Sequence, residues 1–367
     1  MKGVINKNTI APKRILRGAG AWCAGVSTIV TIGNRPLVLS KGTATIRLRE
    51  DLINGLRTSG LRVHLAALQF DCCEEDLQPI ECNARENRCN SVIAIGGGKV
   101  LDAGKLLALR LGLQCVMVPT SAATCAGWTA LSNLYSSQGA FKRDIELLSC
   151  PDLLIFDYNF IFNAPARTLA SGISDAIAKW YEASISSINS VDGLVQHAVQ
   201  HARVLRDQLL REGVEAMQNP GSEAWIRTIE ACGLTAGLIG GLGGARCRTV
   251  AAHAIHNALT QLELTHHTLH GEKVGFGILV QLWLEEVVGR NKIAGVARRD
   301  LILFFNDIGI PINLDQLGLT QISLKELRSI CNFAIKPGSD LHHLPFLVTE
   351  EDLLIALVSA SKDLSSK

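Results

Sequence analysis

At 367 residues the chain exceeds what one hydrophobic core organises, roughly 250 to 300 residues, so two domains are expected. A hydrophobic fraction of 47% against 19% charged leaves no segment outside the termini polar enough to stay disordered, and a net charge of +2 from 36 basic and 34 acidic residues offers no field for a polyanion, which excludes nucleic acid as a partner. The start MKGVINKNTIAPKRIL has no apolar run of signal-peptide length and no later run reaches a membrane span, so a soluble, cytoplasmic protein acting on a small molecule is expected. Eleven scattered cysteines, an odd number with no CxxC pair, point to reduced thiols, most of them, such as Cys115 and Cys232, small buried hydrophobes.

From about residue 35 to 157, short β-branched runs alternate with helical periods: RPLVLS, RLREDLINGLRTSG, LRVHLAAL, SVIAIGGG, KVLDAGKLLALRLG and LQCVMVPT. This reads as a parallel sheet wound with helices. In KVLDAGKLLALRLG the apolar residues Val100, Ala103, Leu107 and Leu111 fall at helical spacing, and Gly112 closes the element. After CPDLLIFDYNFIFNAPART the periods are helical to the end, as in RTLASGISDAIAKWYEASIS and GEKVGFGILVQLWLEEVV. The turn FNAPAR divides an α/β domain, residues 1–163, from a helical domain, residues 164–367, with the active cleft expected between them.

Gly96, Gly97 and Gly98 stand where a buried strand gives way to a helix, so unpaired backbone N–H groups and the helix dipole can meet a pyrophosphate. The run is not a GxGxxG fingerprint, and three glycines also suit a plain tight turn. Its company points to a dinucleotide: Asp102 and Lys105 follow, and VPTSAAT supplies the hydroxyls of Thr120, Ser121 and Thr124 at the next strand end, where open α/β sheets bind ligands.

Asp175 lies mid-helix in SGISDAIAKWYEA, flanked by the small residues Gly172, Ser174 and Ala176, which would let a cavity reach it; buried there, it needs a partner. VAAHAIHNALT carries His253 and His256 one turn apart, and HHTLHGEK supplies His266, His267 and His270. A lone histidine on an apolar helix is usually core, but here five of the ten histidines fall within eighteen residues. Two imidazoles and a carboxylate leave an open position on a divalent ion, as a catalytic site requires. Spacing alone does not choose which histidines bind.

The motifs GGGKVLDAGK, VPTSAAT, NAPARTLASGISDAIAKWYEA, AAHAIHNALT and HHTLHGEKVGFGILVQL, in this order over nearly the whole chain, resemble the glycerol dehydrogenase branch of the iron-containing alcohol dehydrogenase and dehydroquinate synthase-like superfamily. AATCAGWTALS, DAIAKWYEA, GGLGGARCRTVAAHAIHN and LHHLPFLVT are similar to its hydroxycarboxylate dehydrogenase subgroup. The resemblance implies a Rossmann-like dinucleotide domain followed by a helical metal-binding domain, an NAD(P)-linked dehydrogenase and a homo-oligomer. It implies that Asp175, His253 and His270 are the metal ligands and catalytic residues, with His256, His266 and His267 in supporting places. It further implies that Gly98, Lys99, Thr120, Thr129, Leu131 and Tyr135 line the dinucleotide. Iron-type members carry a fourth ligand one turn after the aspartate; that place is Lys179 here, so zinc is favoured over iron.

Two departures from the family bear on substrate and cofactor. Cys125 stands where polyol-oxidising relatives have an aspartate; a neutral thiol there, with Lys179 or Arg248 as the cation, suits a 2-hydroxy acid and its 2-oxo acid. Ser40 and Lys41 stand where NAD-preferring relatives hold the ribose 2′-hydroxyl with an aspartate, so NADPH should be tolerated; Lys41 reads equally as a solvated loop cation. The rival readings are a glycerol, polyol or phosphopolyol dehydrogenase, a dehydroquinate synthase-like lyase, whose lysine-rich phosphate cradle is not evident, and a binding protein that kept the fold without the chemistry. His342 and His343, in LHHLP, have no role legible from sequence.

Overall fold

The alternation expected from residue 35 is present and begins earlier. The computed structural model describes residues 8–42, 46–187, 189–247 and 249–362. Six strands, β1 (Arg14–Gly18), β2 (Pro36–Lys41), β3 (His64–Leu68), β4 (Ser91–Gly96), β5 (Gln114–Pro119) and, after a hairpin, β8 (Leu153–Asp157), form a parallel sheet in the order β1-β8-β5-β4-β2-β3. The helices α1 (Ala21–Ile32), α2 (Ile46–Thr58), α3 (Glu74–Glu86) and α4 (Gly98–Leu111) connect its first five strands. β4 and β8 are buried at every residue, the continuous apolar runs of strands covered on both faces. Alternation along β4 sends Ile93 and Ile95 into a core with Trp22, Leu52 and Leu56, and Val92 and Ala94 into the opposite one, which runs on into the helical part.

Three features differ from the sequence reading. β1, at the sheet edge, is only partly buried and shows no apolar run to announce it. The intervening β6 (Leu131–Tyr135) and β7 (Phe141–Glu146) pair antiparallel as a hairpin apart from the main sheet. α4 is not amphipathic in place: every residue from Val100 to Ala108 is buried, Asp102 and Lys105 included, because β6 covers the face turned away from the sheet. Lys105 Nζ meets Asp102 Oδ1 at 3.0 Å and donates to the Leu131 carbonyl, while Asp102 Oδ2 accepts from the Asn133 N–H at 3.2 Å. As expected, Gly112 ends α4 in the left-handed region, φ 67°.

From Tyr158 onward the chain is helical: α5 (Tyr158–Phe162), α6 (Ala166–Ser187), α7 (Gly193–Gln218), α8 (Glu223–Glu230), a π turn (Ala231–Thr235), α9 (Ala236–Gly243), α10 (Ala251–Leu259), α11 (His270–Val287), α12 (Lys292–Ile308), α13 (Leu324–Ala334) and α14 (Glu350–Ser359). α11 is buried from Gly271 to Glu285, as a helix apolar on all sides must be, and packs against α6, α10, α12 and α14. Among the described residues no helix is long and apolar enough to cross a membrane.

The small residues beside Asp175 serve packing. A Cβ at Gly172 would lie 1.9 Å from the Ala122 carbonyl oxygen, so only glycine lets α6 approach the loop that follows β5. Ser174 Oγ donates to the Gly271 carbonyl at 2.6 Å, joining α6 to the start of α11.

Candidate metal and dinucleotide site

A cleft of about 850 Å³ runs from the carboxyl ends of β2, β4 and β5 to the helices α6, α10 and α11. Register explains its first wall: Gly96 pairs with Pro119 across β4 and β5, so the glycine turn and the hydroxyl-bearing loop emerge side by side. Gly96, Gly97, Gly98 and Lys99 line it from the start of α4, and Thr120, Ser121 and Thr124 from the end of β5. Thr129, Leu131 and Tyr135 line it from the hairpin side, together with Asp102, whose carboxylate is already tied to Lys105 and Asn133. The hairpin also reaches the helical part: the Phe141 N–H donates to Thr260 Oγ1 at 2.9 Å, and Gln261 Nε2 donates to the Phe141 carbonyl at 3.1 Å.

At the other end Asp175, His253 and His270 converge, the predicted triad. Asp175 Oδ1 lies 3.5 Å from His253 Nε2 and 3.3 Å from His270 Nε2. Four-coordinate zinc, with bonds of roughly 2.0 to 2.1 Å, has ligand-to-ligand edges of roughly 3.3 Å, so the spacing fits one ion. Both outer ring nitrogens are held. His253 Nδ1 lies 2.5 Å from Glu182 Oε2, whose other oxygen accepts from the Val250 and His253 N–H groups at 2.7 and 3.0 Å. Glu182 therefore caps α10 and presents His253 Nε2 toward Asp175. His270 Nδ1 lies 2.9 Å from His256 Nε2, and His256 Nδ1 lies 2.9 Å from Asn257 Oδ1. A carbonyl oxygen only accepts, so His256 donates to Asn257 and accepts from His270, which leaves His270 Nε2 bare for a ligand.

The charges agree with this. Burial opposes ionisation of Asp175, yet Lys179 and His270 hold its carboxyl well below the usual carboxylate range. Burial likewise opposes a charge on His253, but the Glu182 and Asp175 carboxylates outweigh it and push its pKa up to about 9. His256 goes the other way: burial, with His270 and Lys273 beside it, holds it well below the ordinary histidine value, in the neutral form the chain of hydrogen bonds requires. The space between Asp175 and the two imidazoles calls for positive charge, which a divalent ion meets.

Other predicted residues fall as follows. Cys125 and Lys179 line the cleft near the triad, and both are buried. Arg248 lies outside the described residues. Lys41, the last residue of β2, lines the cleft with its side chain partly exposed: its Nζ pairs with Asp71 Oδ1 at 2.6 Å, and Asp71 Oδ2 accepts from Lys99. Ser40 Oγ accepts from Arg49 Nη1 at 2.5 Å. His266 and His267 line the cleft, His266 with Nε2 3.0 Å from the Thr260 carbonyl. His343 Nδ1 lies 3.1 Å from the Thr249 carbonyl, just before α10, and His342 Nε2 lies 3.1 Å from the Ile335 carbonyl at the end of α13. Sequence reasoning missed Asp71, Glu182, Asn257 and, from the turn after α13, Lys336 and Asp340. Glu182 was the most findable, seven residues after Asp175 and so on the same face of one helix.

Residues 12–158 match the family model for iron-containing alcohol dehydrogenases. The chain is 50% identical over 351 residues to an uncharacterized oxidoreductase of Synechocystis sp., covering 95% of this chain and 90% of that one. It is 32% identical over 361 residues to a glycerol dehydrogenase of Pseudomonas putida, covering 95% of this chain and 97% of that one. The chain belongs to the iron-containing alcohol dehydrogenase family. This family member is also 33% identical over 291 residues to hydroxycarboxylate dehydrogenase A of Escherichia coli K12, covering 78% of each. The crystal structure of a probable glycerol dehydrogenase from Sinorhizobium meliloti 1021 superposes with a TM-score of 0.85 at 28% identity, covering 97% of this chain and 98% of that one. The fold is thus that of the glycerol dehydrogenases, and the chain is an oxidoreductase.

Proposed function

We propose that this protein is a metal-dependent, NAD(P)-linked dehydrogenase that interconverts a small 2-hydroxy acid and its 2-oxo acid. The observation that carries the reading is the wall beside the triad, where the buried thiol of Cys125 and the ammonium of Lys179 face the cleft. Burial raises the Cys125 thiol above its ordinary value despite the pull of Lys179, so it is neutral and does not repel a carboxylate. Lys179 pairs with that carboxylate and orients the carbon between it and the reacting oxygen. Similarity to the E. coli hydroxycarboxylate dehydrogenase A supports the same substrate class.

Asp175, His253 and His270 would hold the ion, zinc in preference to iron, since Lys179 stands where the resemblance places the fourth ligand of iron-type members. When bound, the ion supplies Lewis acidity toward an alcohol or carbonyl oxygen, and the nicotinamide exchanges the hydride. The backbone of Gly96 to Gly98 and the Thr120, Ser121 and Thr124 hydroxyls would hold the pyrophosphate, with Leu131 and Tyr135 lining the hairpin side. We read the protein as a cytoplasmic homo-oligomer; Ile293, Val296 and Leu303, exposed on one face of α12, support self-association.

A second reading, glycerol dehydrogenase, is favoured by the Pseudomonas putida relative, matched over nearly the whole of both chains. The test mixes zinc-loaded protein with NADPH or NADH and a panel of 2-oxo acids, dihydroxyacetone and simple aldehydes, following absorbance of the reduced nicotinamide. Consumption with a 2-oxo acid is expected. Consumption only with dihydroxyacetone would move the protein to the glycerol reading, and silence across the panel would overturn both.

A further inference from the structure

We propose that Asp340 is a specificity-determining residue whose carboxylate accepts a hydrogen bond from a second hydroxyl of the substrate, so that the site favours 2-oxo acids carrying a further hydroxyl over plain ones. This role rests on the reading of the triad end of the cleft as the place where the substrate reacts, and it narrows the substrate class given above.

The segment that carries Asp340 lies far from the triad in the chain and is brought to it by side chains of LHHLP. His342 Nε2 lies 3.1 Å from the Ile335 carbonyl and 3.2 Å from the Lys336 carbonyl, which closes the turn after α13 on itself. Ser339 Oγ accepts from the Leu341 N–H at 3.3 Å and opens a 3-10 turn, Asp340–His343, whose Leu341 is buried and which packs on α10. His343 Nδ1 lies 3.1 Å from the Thr249 carbonyl and 3.8 Å from Asp340 Oδ1, and the Thr249 side chain donates to the Asp340 carboxylate. Thr249 immediately precedes Val250, whose N–H is held by Glu182 together with that of His253. Asp340 is thereby fixed beside the start of the helix that presents His253. Ser339, Asp340, Thr249 and His253 all line the cleft.

The chemistry of this wall suits a hydroxyl. A carboxylate only accepts, so its ligand must be a donor, and the Asp340 side chain, 34% exposed, keeps room for one. Burial raises the Asp340 carboxyl above its ordinary value in spite of the Thr249 hydrogen bond and the nearby His343, so its hydrogen bonding falls short of what its desolvation demands. A cationic donor on the substrate would be repelled by Lys179 and by Lys336, which line the same cleft, Lys336 with its ammonium 3.7 Å from the Phe333 ring centroid. A neutral hydroxyl meets no such repulsion. Cys125 competes poorly for it, since a thiol is a weak hydrogen-bond partner. With the substrate carboxylate on Lys179, Asp340 takes the hydroxyl as a second anchor, and two anchors fix the reacting carbon better than one.

The test measures kcat/KM for two pairs of substrates that differ by one hydroxyl, pyruvate with 3-hydroxypyruvate and hydroxyacetone with dihydroxyacetone, in the wild type, Asp340→Ala and Asp340→Asn. A hydroxyl beside a carbonyl activates it in any enzyme, so the readout is the change in each ratio from wild type to variant. Asp340→Ala is expected to lower the preference for the hydroxylated member about tenfold, the worth of one hydrogen bond to a charged group. Asp340→Asn keeps a neutral acceptor and is expected to lower it only about threefold. Thermal melting shows that each variant folds, and if the alanine variant does not, the asparagine variant carries the same test. Equal losses on both members of a pair, which leave the ratio unmoved, would make Asp340 structural and overturn the proposal. If the acids are turned over with a ratio that no variant moves, the 2-hydroxy acid reading stands without this role for Asp340. If only the ketone pair is turned over and its ratio falls in the variants, the role of Asp340 stands and the acid reading falls; silence on all four compounds overturns both.

Discussion

At the glycine-turn end of the cleft the buried Asp71 is shared between two partly exposed lysines, Lys41 and Lys99, whereas at the triad end Asp175, Glu182 and His253 are buried and committed to particular partners. The first arrangement can exchange a partner for a ligand at small cost, because exposed pairs are individually worth about 0 to 1 kcal/mol. The second cannot, because stripping a partner leaves an uncompensated buried charge. The contrast follows from where the groups sit: strand ends open toward solvent, while α6, α10 and α11 are packed on all sides around the triad.

The largest effect that would test this contrast is loss of the triad. Asp175→Ala should abolish stoichiometric zinc, measured by atomic absorption, and lower turnover by about a thousandfold or more while NADPH still quenches protein fluorescence. Zinc retained at one per chain would show that the triad is not the metal site. Next comes the seam between the two ends. Gly172→Ala places a Cβ against the Ala122 carbonyl and should destabilise the fold by about 2 to 3 kcal/mol, read from the urea midpoint; an unshifted midpoint would mean the helix and loop part without penalty.

Glu182→Gln is a smaller and more selective change. The amide can still cap α10 through its oxygen, but its NH₂ faces His253 Nδ1 and favours the tautomer with the proton on Nε2. Zinc affinity, from competition with a chromophoric chelator, should fall about tenfold to a hundredfold with little change in melting temperature. Equal loss of stability and affinity would make Glu182 merely structural.

The smallest effect lies farther along α11, where Glu285 is buried and its pKa is pushed up to about 7 by desolvation, against hydrogen bonds from Gln281 and Asn291. A carboxyl raised in the folded state favours folding most when protonated, so its contribution is complete below pH 4.5, the ordinary value, and is lost as pH rises through about 7. Glu285→Gln should therefore be stabilising by about 1 to 2 kcal/mol at pH 8.5 and close to neutral at pH 5, a difference visible in melting temperatures at the two pH values.

Local pattern carried the central elements. β4 reads as a buried strand because every residue before its glycines is apolar or small, and α4 reads as a helix with its Gly112 stop because its period is plain over three turns. The cluster of Asp175, His253 and His270 was legible by a different route, through histidines unusual on apolar helices and a resemblance that chose among them; the structure brings those three side chains together. The hairpin was not legible, because its outer strand FKRDIE is mostly polar and owes its place to pairing with β6 and to Thr260. Asp71 gave no signal either, being an ordinary acid in a loop until the sheet order sets it beside Lys41 and Lys99.

By itself, then, the sequence determined the central strands and the helices, where the glycine turn falls and which residue types can carry metal chemistry, since these depend on periods and neighbours a few residues apart. Only the tertiary structure decided which nitrogen of each histidine faces Asp175 and which carboxylate restrains which lysine. Those outcomes depend on groups far apart in the chain, 71 residues between Glu182 and His253 and 30 between Lys41 and Asp71, whose approach is set by helix packing and strand order.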